Sequence, residues 1–503
     1  MTMETGERPD RASIERVAQL STLPVGRHVH VSGICGTGVS AVAVLLKQMG
    51  YRVTGSDKAF YPPMGDVARQ TATKLYTGYS EENLEERPDF VIIGNNLSRG
   101  NPEVERVLRE SIPYASMPEA FAALLIRDRE SCPNSVVVCG THGKTTTSAA
   151  TTTMLDRAGR KPGFFIGGLP NDLPTTIRAV DESIPPAQRV VVLEGDEYDS
   201  AFFAKWSKFH SYRADIAIIT SLEFDHADIF QSIDDIVLEF TSLVSKVPPS
   251  GLVLLWDGEP RLKDLAQQWR SITKAPIEFY GDDPSSSYRL LSRSGSDQQQ
   301  IHMSLRGTEI TVSTTMTGHH NALNLLAAAT VGHRLGLAPE LIGTSVSAFT
   351  GVRRRQNVVE ERHGRTLIED FAHHPTAVRV TLNGLRERYP DRRLIAVFEP
   401  RSNTSRRGFF QKEYAESFGS ADVVILQDVA DAGGYTKYQD SVTPLDVSKI
   451  ASELKLHGKI AEVFPKAEDI ASFLDAFMES GDVIVCMSNG DFGGLVPELA
   501  ALL

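Results

Sequence analysis

The sequence predicts an α/β protein of three consecutive domains. Strand-like runs alternate with helix-like segments almost throughout, which is the pattern of mostly parallel sheets. A chain of 503 residues is too long for one hydrophobic core. Two glycine turns of phosphate-binding type stand in successive blocks, each after an apolar strand and before a helix. The blocks are residues 27–130, 131–349 and 350–503, and residues up to about 26 read as a loosely held extension.

The first block opens with a strand at residues 28–31. Gly33-Ile34-Cys35-Gly36-Thr37-Gly38 follows, then a helix over 39–49 that Gly50 ends. The next strand covers 51–54, with Gly55-Ser56-Asp57 at its carboxyl end. This is a Rossmann-like unit, and Asp57 stands at the distance of a ribose or base contact. The glycine pattern is irregular, because Cys35 occupies the usual second glycine and the last glycine comes early. Tight packing at a βα turn without a ligand would give the same pattern. A turn-rich junction at 130–134 closes the block.

The second block opens with the β-branched run 136–139 and continues as Gly140-Thr141-His142-Gly143-Lys144-Thr145-Thr146-Thr147. A helix over 145–158 ends at Gly159. Strand, glycine turn, Lys-Thr and helix form a phosphate cradle. The loop is a shortened variant, since Val138 stands where a strict P-loop has glycine. Lys144 is placed for the terminal phosphates and a hydroxyl for Mg²⁺. A strand at 189–193 leads into Glu194-Gly195-Asp196-Glu197-Tyr198-Asp199. Another at 217–220 leads into Ser221-Leu222-Glu223-Phe224-Asp225-His226. Open α/β sheets bind ligands at such strand ends. Glu194 and Thr145 suit Mg²⁺; His226 is a less usual ligand, and Asp225-His226 also reads as a helix cap. Residues 248–251 and 282–287 are loops, and 292–300 reads as the mobile tip of a hairpin. A helix over 321–335 begins at Asn321, and Asn324 shares its face. Asparagine offers the donor and acceptor that adenine needs, although the same start also reads as a simple cap. A short helix follows.

The third block carries strands at 394–398, 423–426 and 483–487. Its motifs are Gly351-Val352-Arg353-Arg354-Arg355, Glu369-Asp370-Phe371-Ala372-His373-His374-Pro375, Glu399-Pro400-Arg401-Ser402-Asn403-Thr404 and Ser488-Asn489-Gly490-Asp491-Phe492-Gly493-Gly494. The net charge of −12 argues against bulk nucleic-acid binding. Four widely spaced cysteines give no metal spacing and no disulfide framework, which predicts a reducing interior. No run is apolar enough to span a bilayer, and the amino terminus has no signal-peptide core, so the expectation is a cytoplasmic protein with no membrane partner.

With these residues collected, the chain resembles the Mur ligase family over about residues 27–503. The matching pattern is Gly140 to Thr145, Glu194, His226, and His320-Asn321 with Asn324. The resemblance implies a Rossmann-like N-terminal domain, a central P-loop-type ATPase domain and a C-terminal Rossmann-like domain. It implies ATP and Mg²⁺ as cofactors and UDP-N-acetylmuramate as a substrate. His373-His374 before Pro375 resembles the subgroup that acts on UDP-N-acetylmuramate itself. Two acceptors compete, L-alanine and the murein tripeptide L-Ala-γ-D-Glu-meso-diaminopimelate. Residues 55–57 followed by Tyr61-Pro62-Pro63-Met64, and the motifs at 194–199, 399–404 and 488–494, resemble the tripeptide-adding members.

By this resemblance Lys144, Glu194, His226, Arg355 and His374 are catalytic, and Thr145, Glu194 and His226 hold metal. ATP meets Gly140, Thr141, His142, Gly143, Lys144, Thr145, Thr146, Asn321, Asn324, Arg355 and Asp370. Gly33, Gly36, Thr37, Gly38, Ser56, Asp57, Asn95 and Asn96 serve the sugar nucleotide; His373, Arg401, Asn403, Ser488 and Asn489 serve the acceptor side. No lysine lies between His226 and Lys246, so no carbamylated lysine is expected. The hinge for closure of the third domain is expected near residues 349–352. Two other classes compete. The first block alone fits a nicotinamide-dependent oxidoreductase, and the first two fit a nucleotide-sensing binding protein. The first leaves Lys144, Glu194 and His226 without a task, and the second leaves the arginines and histidines of the third block without one.

Overall fold

The computed structural model describes residues 9–429 and 443–503. Three parallel-rich sheets build three domains in chain order. The first sheet has five strands in the spatial order Lys74–Thr77, Arg52–Asp57, His28–Ser32, Phe90–Ile93 and Tyr114–Ala115, all parallel. His28–Ser32 is central and wholly buried, and the glycine turn leaves its carboxyl end into the helix Thr37–Gln48. A polar seam runs beneath that turn. Glu103 is fully buried and accepts from Ser56 Oγ at 2.7 Å and Asn83 Nδ2 at 2.6 Å. His30 Nδ1 lies 2.9 Å from Thr54 Oγ1. Burial would raise the Glu103 pKa, but His30 and the hydroxyl and amide donors outweigh it and hold it low.

The expected loose extension is a correction within the described residues; positions 1–8 lie outside them. Arg11–Ser21 is a helix, capped by Asp10, whose carboxylate accepts from the Ser13 N–H at 2.7 Å. Its inward face is Ser13, Arg16 and Leu20. Two of these are polar, so apolar periodicity does not reveal it. The Arg16 guanidinium reaches the fully buried Glu119 at 2.6 Å and lies over the Phe203 ring of the second domain at 4.7 Å. Arg16→Ala strands that carboxylate. The expected cost is about 3–5 kcal/mol, measured by denaturant unfolding, and an unchanged midpoint would show that the helix is not anchored.

The central sheet has ten strands. Asn134–Cys139 lies in its middle, between Ile216–Ile219 and Val190–Glu194, with all three parallel. The phosphate loop therefore opens where crossovers depart to both sides. Helices Lys144–Arg157 and His319–Arg334 cover one face and are buried along most of their length. The hairpin expected around residues 292–300 is present. Strands Tyr288–Ser294 and Gln299–Leu305 take up most of that segment, leaving a turn of 295–298. A third strand, Thr308–Thr314, pairs with Gln299–Leu305 along its whole length. Arg293 also ion-pairs with Glu387 of the third domain at 3.0 Å.

The third sheet has six strands in the order Asn357–Arg362, Arg365–Asp370, Val483–Met487, Leu394–Phe398, Val423–Gln427 and Ile460–Phe464. Only the first pair is antiparallel. Among the described residues no helix is long and apolar enough to cross a membrane.

Candidate functional site

Strand ends of the second and third domains and the glycine turn of the first converge on one cleft of about 490 Å³. The first domain contributes Thr37 and Gly38, the second the phosphate loop, Glu194 and His226, and the third Arg355, His373 and Asn489. That volume and a lining drawn from several domains are those of a small-molecule site.

The phosphate loop depends on two glycines. Gly140 has φ +118°, and a Cβ there would lie 2.8 Å from the backbone nitrogens of Thr220 and Ser221. Gly143 has φ +84°, and a Cβ would meet Asn324 Oδ1 at 2.7 Å. The loop is tied to the neighbouring strand end. His142 N–H donates to Ser221 Oγ at 2.7 Å, and Thr141 Oγ1 donates to the Glu223 carbonyl at 3.0 Å. The helix Lys144–Arg157 points its amino terminus at the cleft, an arrangement that favours anions. Lys144 Nζ donates to Glu197 Oε2 and to the Gly140 carbonyl, both at 2.7 Å. The Gly140 N–H donates to the other oxygen of Glu197 at 3.2 Å. The cradle's cation and a backbone donor thus already converge on one buried carboxylate. Burial opposes the charge on Lys144, but Glu197 and Asp196 push its pKa up to about 12, so it stays cationic.

Two side-chain clusters of metal-ligand type adjoin the loop. Thr145 Oγ1 donates to Glu194 Oε1 at 2.9 Å, and the Gly167 N–H donates to Glu194 Oε2 at 2.7 Å. Arg355 Nη2 lies 3.5 Å from Thr145 Oγ1. A hydroxyl beside a carboxylate fits Mg²⁺, a hard ion that seeks oxygen. Asp196, Glu197 and His226 place one ligand atom each within 4.8 Å of one another. His226 Nε2 is buried, 3.8 Å from Glu197, with no hydrogen-bond partner among the described residues. Burial lowers the His226 pKa, but Asp225 and Glu197 outweigh it and raise it. This second group fits a cation with mixed nitrogen and oxygen ligation.

On the far side Asn321 Nδ2 donates to the Thr317 carbonyl at 2.8 Å and to Gln356 Oε1 at 3.2 Å. Asn324 Nδ2 donates to Asn321 Oδ1 at 3.3 Å. Trp256, Tyr280 and His320 flank them in the cleft and give it an aromatic end. Arg355 lies over the Phe371 ring at 4.6 Å. Asp370 lines the cleft, yet its oxygens accept from the backbone of Gln356 and Ala372 at 2.7 Å each and from Thr381 Oγ1 at 3.3 Å. It is a buried brace between the arginine turn and the histidine motif. Burial raises its pKa, and the Arg355 charge offsets that only in part.

Not every residue expected at the site faces the cleft. Gly33 and Gly36 shape the turn, and Ser56 belongs to the polar seam. Asp57 Oδ2 accepts from the Cys35 N–H at 2.8 Å and so ties the turn to the second strand. Asn95 donates to the Asp199 carbonyl at 3.1 Å, bridging two domains, and Asn96 is exposed. Arg401 is ion-paired to Asp491, the residue that interrupts the glycine run. Ser488 Oγ donates to Glu399. Asn403 Nδ2 donates to Asp228 at 3.1 Å, so its amide is spent on the second domain. Of the histidine pair, His373 lines the cleft. His374 instead caps the helix Pro375–Arg388, packs on His142 and Phe410 at 4.8 and 4.7 Å, and faces a second cavity. Burial and His142 depress the His374 pKa to about 3. Glu197, Glu223 and Trp256 were not singled out by the sequence. Glu197 sat in a recognised acidic run, and its signal was position after a strand end. Glu223 accepts from Thr376 Oγ1 at 2.7 Å and lies 3.5 Å from both His142 and His374. Burial opposes its charge, but the nearby His142 outweighs this and, with Thr376 and His374, holds its pKa to about 2.

Comparison with known proteins follows this division. Residues 28–129 match the model described as Mur ligase family, catalytic domain. Residues 138–332 match the Mur ligase middle domain, and 354–490 the Mur ligase glutamate ligase domain. The chain is 36% identical over 475 residues to the UDP-N-acetylmuramate–L-alanyl-γ-D-glutamyl-meso-2,6-diaminoheptandioate ligase of Escherichia coli K12, covering 94% of this chain and 97% of that protein. It is 30% identical to a UDP-N-acetylmuramate–L-alanine ligase of Methylobacterium sp. strain 4-46, covering 94% and 97%. Among solved structures, a murein peptide ligase from Psychrobacter arcticus superposes with a TM-score of 0.68 at 30% identity, covering 95% of this chain and all of that one. The UDP-N-acetylmuramate–alanine ligase of Thermotoga maritima gives 0.74 at 22% identity over 94% and 98%, a likeness of fold alone.

Proposed function

The chain belongs to the Mur ligase family, and from that premise we propose that it joins the tripeptide L-Ala-γ-D-Glu-meso-diaminopimelate to UDP-N-acetylmuramate at the expense of ATP. It is an ATP-dependent ligase. The observation that carries the choice of acceptor is the full-length match to the tripeptide-adding relative at 36% identity, against 30% for the alanine-adding relative.

A carboxylate resists attack by an amine because oxide is a poor leaving group. The γ-phosphoryl of ATP passes first to the lactyl carboxylate, giving an acyl phosphate and ADP. The free amine of the tripeptide's alanine then attacks the acyl carbon. The tetrahedral adduct expels phosphate, and the nitrogen gives up a proton as the amide forms. Such catalysis is mostly positioning and charge neutralisation. Lys144 turns from Glu197 to the β- and γ-phosphates, which the amino terminus of Lys144–Arg157 also faces. Thr145 and Glu194 would hold one Mg²⁺, and His226 with the neighbouring carboxylates a second cation. Bound there, such ions neutralise the phosphate oxygens between which charge moves. Arg355 adds a fixed cation from the third domain beside Thr145. Asn321 and Asn324 line the aromatic end of the cleft, where the base would lie, and Thr37 and Gly38 would present the first domain's turn to the sugar nucleotide. His373 lines the acceptor side, and its Nε2 lies 3.8 Å from Asp225.

An acceptor matrix tests the proposal. Phosphate release that requires UDP-N-acetylmuramate is measured with L-alanine, the dipeptide and the tripeptide. The tripeptide is expected to give a kcat/KM at least about tenfold above L-alanine, since remote contacts orient the amine as well as bind it. Equal use of L-alanine would make the chain an alanine-adding ligase.

A further inference from the structure

Residues 223–228 carry His226 into the cleft, and the third domain meets each of the other five. Thr376 Oγ1 donates to Glu223 Oε2 at 2.7 Å. Phe409 meets the Phe224 ring edge-on with centroids 6.0 Å apart. His373 Nε2 lies 3.8 Å from Asp225 Oδ2. Ala227 is held at both ends: its N–H donates to Thr404 Oγ1 at 3.3 Å, and its carbonyl accepts from Arg407 Nη1 at 3.2 Å. Asn403 Nδ2 donates to Asp228 Oδ2 at 3.1 Å. From the second domain, Tyr198 packs on the His226 ring at 4.3 Å, and its hydroxyl donates to the other oxygen of Asp228 at 3.4 Å. His226 itself has φ +58°. Histidine enters that left-handed region more readily than most non-glycine residues, and here it turns the chain sharply before Ala227. The two peptide planes that follow His226 are held by Thr404 and Arg407, and Asn403 holds the side chain of Asp228 beyond them.

We propose that Asn403, Thr404 and Arg407 are positioning residues for His226. Docking of the third domain on residues 223–228 sets the imidazole, so the cation there is held tightly only when the acceptor-binding domain is in place. Phosphoryl transfer then waits for the domain that brings the amine, which protects the acyl phosphate from water. The inference rests on the reading of His226 as a cation ligand. It also reassigns Asn403, which its motif places on the peptide.

Mn²⁺ is the probe, because free Mn²⁺ is counted by electron paramagnetic resonance without turnover. The full-length protein is titrated with a non-hydrolysable ATP analogue and UDP-N-acetylmuramate present. Thr404→Val, Arg407→Ala and Asn403→Ala are each expected to weaken one Mn²⁺ about tenfold, the low end of what loss of an outer-shell partner costs, because each acts on His226 through Ala227 or Asp228. The tripeptide KM is expected to stay within about twofold, and Thr404→Ser, which keeps the hydroxyl, to restore binding. His226→Ala is the reference and should lose that ion. If His226→Ala keeps it, the cation reading of His226 falls and the positioning role with it. If His226→Ala loses it while the three variants bind Mn²⁺ like the wild type, the positioning role alone is refuted. A raised tripeptide KM in Asn403→Ala with unchanged Mn²⁺ binding returns Asn403 to the peptide.

Discussion

Lys144→Ala is expected to lower ligation by about 10²-fold or more while leaving the affinity for UDP-N-acetylmuramate within about twofold. The cation lost is the one the phosphate loop brings to the cleft, and the turn proposed for the sugar nucleotide stands on a different domain. The variant has a second consequence that separates chemistry from folding. Glu197 is 2% exposed, and Lys144 is its ion-pair partner at 2.7 Å. Removing the lysine leaves a buried carboxylate without its counter-charge, a change that costs about 3–5 kcal/mol in comparable pairs. The double variant Lys144→Ala/Glu197→Gln should therefore recover most of the stability and none of the turnover. Steady-state kinetics beside urea unfolding distinguishes the two. Turnover above about a tenth of wild type in the single variant would remove Lys144 from phosphate stabilisation.

Glu194→Gln is expected to cost about 10²-fold in kcat with the fold intact. The amide oxygen can still accept from the Gly167 N–H, so the turn beside it keeps its hydrogen bond. Thr145 loses the charged neighbour that makes the hydroxyl and carboxylate an oxygen pair for a divalent cation. The check is kcat as a function of Mg²⁺. The variant should need more metal for half-maximal rate, and a wild-type metal dependence would take Glu194 out of the cation site.

What the sequence revealed about fold and site depended on how local the information was. The phosphate loop was legible because its geometry is written in consecutive residues: a β-branched strand, two glycines, then Lys144 at a helix start. Strand 483–487 was placed to the residue for the same reason, as a short apolar run bounded by turns. The helix Arg11–Ser21 was missed because a buried ion pair replaces part of its apolar stripe. The hairpin was legible from its polar turn at 295–298, whereas nothing in those residues announces the third strand that pairs with it. Asn403 and Arg401 follow a strand end in a motif that suggests ligand reading. Their partners, Asp228 and Asp491, are 175 and 90 residues away in the chain, a separation that spacing rules cannot cross. Glu223 was passed over for the same reason, since its meaning lies in His142 and His374, which only the folded chain brings beside it.

The contact of five residues in 223–228 with the third domain has a consequence for engineering and for descent. A third domain transplanted from a relative with a different peptide would arrive with the wrong counterpart for this strip. A chimera that exchanges residues 350–503 should therefore exchange 223–228 as well, although the strip belongs to the ATP-binding domain by sequence. A one-residue insertion in the strip is expected to undo this docking, because shifting Ala227 by a single position would offer Thr404 and Arg407 the wrong backbone groups. Substitutions at 403, 404 and 407 should then accumulate together with those at 227 and 228, so that divergence in what the enzyme accepts leaves its trace in the half of the protein that binds the nucleotide.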